Sequence, residues 1–206
     1  MTDKQKIKTD GEQGWNRIWC PIEAPSVSES NEGEMELSDA RADCVSLSDL
    51  SSTPCLVLVA EAGMGKTWEV TMLAEQLGAD NEMVDLIQGR DPDLPSTLKT
   101  LLTSSHHQDW VELKRPWHII IDGVDEFSSA SRPAEALLGS FFDSLIAVGS
   151  GFELLRIIIT SRAAAWTKAL DQVIADRWPK DAFIPHRYES DTRKRGGQLP
   201  GLSRFR

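Results

Sequence analysis

The stretch Cys55-Leu-Val-Leu-Val-Ala60-Glu-Ala-Gly63-Met-Gly65-Lys66-Thr67 decides the fold. Cys55–Ala60 is an uninterrupted apolar run after Pro54, the pattern of a short strand buried on both faces. The residues from Ala60 onward have the spacing of a phosphate-binding loop, with Ala60 where glycine is commonest. Gly63 and Gly65 let backbone N–H groups converge on a β-phosphate, and Lys66 can reach the β- and γ-phosphates. Thr67 can offer its hydroxyl to Mg²⁺ at the positive end of the helix that follows, expected over Lys66–Leu77 and ending at Gly78. Ala60, Glu61, Ala62, Gly63, Met64, Gly65, Lys66 and Thr67 are therefore the candidate cradle of a nucleoside triphosphate.

Two more apolar runs end in polar groups that can meet this loop. In His118-Ile-Ile-Ile121-Asp122-Gly123-Val124-Asp125-Glu126-Phe127 the strand Trp117–Ile121 leads into a carboxylate. Asp122 can stand beside the metal position of Thr67, and Asp125 and Glu126 can orient a water that attacks the γ-phosphate. Leu155-Arg-Ile-Ile-Ile159-Thr160-Ser161-Arg162 supplies a further strand, Leu154–Thr160, and Arg162 beyond it can sense or stabilise γ-phosphate charge. Between and after these runs, Met83–Ile87 reads as a weaker strand and Ser96–Thr103 as a helix. Leu137, Leu138, Phe141, Phe142, Leu145 and Ile146 mark the apolar face of another helix, Ala163–Arg177 reads as a third, and Ala182–Ile184 as a short last strand. Strands alternating with helices imply right-handed crossovers, a parallel sheet covered on both faces, and a ligand site at the carboxyl ends of the strands.

The chain has 206 residues, an apolar share of 40% and a net charge of −10. That is enough for one core, and the acidic body disfavours nucleic-acid binding as the main activity. The charge is uneven: residues 1–50 hold 11 acids against 5 bases, while residues 187–206 hold 2 against 6. The expected organisation is a flexible acidic arm over 1–50, a folded core over 51–186 and a basic, disordered tail over 187–206. No apolar run approaches the roughly 18 residues of a membrane span, and Met1–Asp10 lacks the apolar region of a secretory leader, so a cytoplasmic location without membrane contact is expected. Cys20, Cys44 and Cys55 are scattered and odd in number, the pattern of free thiols.

Together the GMGKT of Gly63–Thr67, the IIIDGVDEF of Ile119–Phe127 and the IIITSR of Ile157–Arg162 resemble the NACHT branch of the STAND class of P-loop NTPases. Gly123 directly after the metal-side aspartate, followed by the second acidic pair, is the feature that separates this branch from AAA+ relatives with adjacent Asp-Glu. The resemblance covers about residues 50–180. It implies a three-layer α/β/α P-loop NTPase fold, with the strand before Arg162 lying between the phosphate-loop strand and the strand before Asp122. It also implies binding of ATP or GTP with Mg²⁺. Lys66 and Thr67 would be phosphate and metal ligands, Asp122 the metal-side acid, Asp125 and Glu126 the hydrolytic acids, and Arg162 the sensor. Such proteins act as signalling switches, in bacteria often in antiphage defence, in which nucleotide state controls self-association and attached sensor and effector domains.

The sequence departs from that plan after Arg162, where neither a closing helical subdomain nor a sensor is legible. The alternative expectation is therefore a truncated, non-hydrolysing interaction module that lacks the closing and sensor domains and binds nucleotide or a full-length relative, with missing effector or sensor domains as its expected partners. Among lesser features, Trp15–Pro21 is expected to dock on the domain surface in preference to serving as a partner-binding peptide, Trp68 to be spent on helix packing in preference to bordering the nucleotide cleft, and His106-His107 to sit in a surface loop.

Overall fold

A computed structural model of the chain describes residues 19–21, 45–127, 133–148, 151–178 and 186–190. In chain order the elements are β1 (Trp19–Pro21), α1 (Leu47–Leu50), β2 (Cys55–Val59), α2 (Lys66–Ala79), β3 (Met83–Gln88), α3 (Leu94–Leu101) and α4 (Ser105–Leu113). Then come β4 (Trp117–Asp122), α5 (Val124–Phe127), α6 (Ala134–Ile146), β5 (Leu155–Ser161), α7 (Lys168–Arg177) and β6 (His186–Ser190). The strands form one sheet in the order β1-β6-β2-β5-β4-β3. All pairings are parallel except that of β1 with β6. The strand before Arg162 thus separates the phosphate-loop strand from the strand before Asp122, as expected.

The three central strands are apolar at almost every position because both of their faces are covered. Val57, Val59, Ile119, Ile121, Ile157 and Ile159 point into one core with α3, α4, α6 and α7. Leu56, Leu58, Ile120 and Ile158 point into the other, with α1, α2 and Trp19. Period-2 alternation therefore separates two buried faces instead of a wet and a dry one. The result is a three-layer α/β/α fold, and each fully buried isoleucine contributes about 1.5–3 kcal/mol of transfer free energy. Among the described residues no helix is long and apolar enough to cross a membrane.

Several local expectations are corrected. Helix α2 runs through Gly78 to Ala79, and the chain turns instead at Asn81, which takes a left-handed φ of 62°. His106 and His107 lie within α4, whose Ser104 cap accepts from the His107 N–H at 3.2 Å. His106 Nδ1 lies 2.8 Å from Asp85, and His107 packs against Trp110 and Trp117. The expected helix Ala163–Arg177 is split into a 3₁₀ turn, Ala163–Ala165, and α7, because Thr167 caps the Leu170 N–H and starts a new helix. Ala182–Ile184 lies outside the described residues, and the strand in this part of the chain is β6.

Both expected flanks contribute to the sheet. Trp19 is fully buried, its backbone bridges Val45, and its indole Nε1 donates to Glu69 Oε1 of α2 at 3.0 Å. Residues 187–190, placed by expectation in the tail, belong to β6 and extend the sheet beside β2. Cys20 is disulfide-bonded, which corrects the expectation of free thiols for that residue, whereas Cys55 is free and buried. The physical reason is pairing at a distance: the Trp19–Val45 bridge folds two parts of the arm against each other, which cysteine counting cannot register.

Candidate nucleotide-binding site

At the carboxyl ends of β2, β4 and β5 lies a cleft of about 670 Å³, lined by Ala62, Gly63, Met64, Gly65, Lys66, Thr67, Trp68, Asp122, Gly123, Asp125, Glu126 and Arg162. The loop wall is built by glycine conformations: Gly63 and Gly65 have φ of 74° and 78°, the left-handed region that other residues enter at a cost. A Cβ on Gly63 would meet nothing within 4 Å, so its backbone faces open space. Lys66 Nζ donates to the carbonyls of Ala60 at 2.6 Å and Glu61 at 3.0 Å. Ala60 and Glu61 thus touch the site through Lys66, while Ala62 to Thr67 form its wall.

The acidic wall is set by a relay of hydrogen bonds. The Gly123 N–H donates to Thr160 Oγ1 at 2.8 Å, and that hydroxyl donates to Asp122 Oδ1 at 2.6 Å. Thr160 is fully buried and Asp122 nearly so, at 7% exposure, so β5 fixes the carboxylate that ends β4. Gly123 has a φ of 74°, and a Cβ there would come within 3.3 Å of the Glu126 side chain. Behind this turn, the Gly89 N–H donates to the Asp122 carbonyl at 2.6 Å. A Cβ on Gly89 would lie 2.0 Å from the Gly123 carbonyl oxygen, so only glycine lets the two backbones touch.

Asp125 and Glu126 have different surroundings. The Asp125 side chain is 4% exposed and is held by Arg162 twice, through the backbone N–H at 3.1 Å and through guanidinium Nε. Burial pushes the Asp125 carboxyl up, but the hydrogen bonds from Arg162 outweigh it and hold the group below the usual carboxylate range. Glu126 is exposed at the cleft mouth.

The residues present fit a magnesium nucleotide. Among the described residues no group of three His, Cys, Asp or Glu side chains could hold a metal by itself. Thr67 and Asp122 both border the cleft, and one hydroxyl and one carboxylate suit Mg²⁺, which takes its other ligands from phosphates and water. Sequence reasoning did not find Thr160 or Gly89 as supports of Asp122, and it ranked a place for Trp68 at the cleft below helix packing, whereas Trp68 lines the cleft. Thr160 carried a faint signal as a polar residue closing an apolar strand, whereas Gly89 carried none beyond turn chemistry.

No protein-family model matches the sequence, and neither does any curated protein. Solved structures do. The replication initiator DnaA bound to AMPPCP and single-stranded DNA is 16% identical, with a TM-score of 0.42 over 70% of this chain and 43% of that one. Rhizobiales Trip13 is 17% identical, with a TM-score of 0.37 over 58% and 42% of the two chains. The cytoplasmic domain of the Thermomonospora curvata type VII secretion ATPase EccC is 11% identical, with a TM-score of 0.45 over 91% of this chain and 23% of that one. In each case the match spans less than half of the solved chain.

Proposed function

We propose that the chain is an ATP-binding NACHT-type NTPase module that binds Mg·ATP, hydrolyses it slowly and serves as a signalling or defence switch. The observation that carries this reading is the convergence on one cleft of the phosphate loop, Asp122 fixed by Thr160, the exposed Glu126 and the Arg162–Asp125 pair. In this reading the loop amides and Lys66 hold the phosphates, and Thr67 and Asp122 hold Mg²⁺. When bound, that ion neutralises charge on the β- and γ-phosphate oxygens. Glu126 orients the attacking water and accepts its proton. Asp125 takes Arg162 Nε, so the terminal nitrogens of the guanidinium remain as donors to the γ-phosphate. Nucleotide state would then govern self-association or the response of attached sensor and effector domains.

Calorimetry with Mg·ATP and a phosphate-release assay test the reading. Wild type should bind and turn over slowly, Lys66→Ala should not bind, and Glu126→Gln should bind without release. Absence of binding by wild type would overturn it. A second reading, nucleotide binding without turnover, is favoured by Asp125 being committed to Arg162, which leaves one exposed carboxylate for proton transfer. Binding by wild type with no phosphate release would select it.

A further inference from the structure

Trp68 follows Thr67 directly, and its side chain is not spent on packing as the sequence suggested. It is 52% exposed, while Trp19, Trp110, Trp117, Trp166 and Trp178 are all 6% exposed or less. Three of those five place their indole N–H on a carboxylate, and Trp110 donates to the Gly151 carbonyl. Trp68 shares one face of α2 with Met72, one turn on, which is 41% exposed. Of the large apolar side chains exposed among the described residues, Trp68 is the one that lines the cleft.

We infer that Trp68 forms an aromatic platform for the base of the bound nucleotide. The inference rests on the nucleotide reading and adds what that reading leaves open, namely what holds the part of the ligand beyond its phosphates. Besides Trp68, the cleft is lined by the loop residues Ala62 to Gly65, Met64 included, by Lys66 and Thr67, and by acidic residues with Gly123 and Arg162. None of these offers an aromatic plane. The indole supplies one on the residue that adjoins the phosphate loop, and half of its surface is open for stacking. A π-face accepts any base, so the platform selects for the presence of an aromatic base over its identity. Adenine and guanine nucleotides should both bind, and an inorganic polyphosphate should gain nothing from the indole.

The test compares dissociation constants for ATP and for inorganic tripolyphosphate, each with Mg²⁺, in wild type, Trp68→Ala and Trp68→Phe. Trp68→Ala should weaken ATP about tenfold, in line with the loss of one base–aromatic stack, while changing tripolyphosphate less than about twofold. Trp68→Phe should stay near wild type for both ligands. Equal loss for both ligands in Trp68→Ala would show that the substitution only disturbs the helix start, and would overturn the platform. ATP affinity unchanged in Trp68→Ala would overturn it as well. Wild type that binds neither ligand would overturn the nucleotide reading itself, a result distinct from either of these.

Discussion

Arg162 grips Asp125 through both its backbone N–H and its guanidinium, joining the end of β5 to the start of α5 across the mouth of the cleft. The exposed guanidinium thereby acquires a fixed anchor, and the buried carboxylate acquires its compensating charge.

This pair sets a pH dependence whose sign follows from the lowered Asp125 ionisation. The group binds its proton less readily in the folded state than at its ordinary value of 3.8, so its contribution to stability is complete above that value. The contribution is lost as pH falls through the folded value. In chemical denaturation from about pH 5 downward, the stability gap between wild type and Asp125→Asn should shrink. A gap that stays constant with pH would contradict this account.

Asp125 and Glu126 should separate in kinetics. Glu126→Gln should keep nucleotide affinity and thermal stability while lowering phosphate release by two orders of magnitude or more, the usual size of a general-base effect. Asp125→Asn should lower both turnover and melting temperature, because it loosens Arg162 and α5. Identical behaviour of the two variants in paired melting and single-turnover experiments would count against the division of labour.

Thr160→Val preserves shape and removes the hydroxyl that links the Gly123 N–H to Asp122 Oδ1. Two buried polar groups lose their partner, at a cost of about 1–3 kcal/mol each. The variant should melt lower and bind Mg·ATP more weakly, with the Mg²⁺ dependence of ATP affinity shifted to higher metal concentration. Wild-type metal dependence would show that Thr160 does not orient Asp122.

Gly89→Ala should be the most damaging substitution outside the phosphate loop. Its methyl would stand 2.0 Å from the Gly123 carbonyl oxygen, and that contact is backbone, which cannot swing aside. A loss of about 1–3 kcal/mol or more is expected from overpacking of this kind, read by urea denaturation, together with weaker nucleotide binding. Near-wild-type stability would mean that the turns after β3 and β4 adapt more easily than their packing suggests.

Burial pushes the Cys55 thiol up to about 12, against an ordinary 9.0. The folded protein should resist alkylation at pH 8, as read by mass spectrometry of the Cys55 peptide. Because the raised value favours the protonated thiol in the folded state, this group's contribution to stability is full below pH 9.0 and fades as pH rises toward about 12. Rapid labelling without denaturant would show that β2 opens readily.

The parts of the fold legible in the sequence are those where a single segment carries its own physics. The apolar runs before Glu61, Asp122 and Arg162 announce buried strands, and glycines beside Lys66 announce a phosphate loop, because both signals are local. Docking of Trp19 was legible from an aromatic residue in a polar arm, but its place in a strand was not, since that depends on β6 arriving from the far end of the chain. Gly89 was hidden for the same reason: its meaning is a contact with the Gly123 carbonyl, which a turn-forming glycine does not advertise. The unequal roles of Asp125 and Glu126 could not be read from adjacent acids, because Arg162, just past the end of β5, decides between them.

The pairing of β1 with β6, Trp19 opposite Ser190, joins residues from nearly opposite ends of the described chain. Such a contact closes the longest loop in the sheet, and its entropy cost is repaid only after the strands between them are in place. The β2–β5–β4 centre should therefore assemble early in folding and the β1–β6 edge late. The same ordering predicts that, in native-state hydrogen exchange, amides of β6 exchange through smaller openings than those of β4 and β5. The wing beside β2 is then the least cooperative part of the sheet, able to detach while the cleft at the ends of β2, β4 and β5 remains folded.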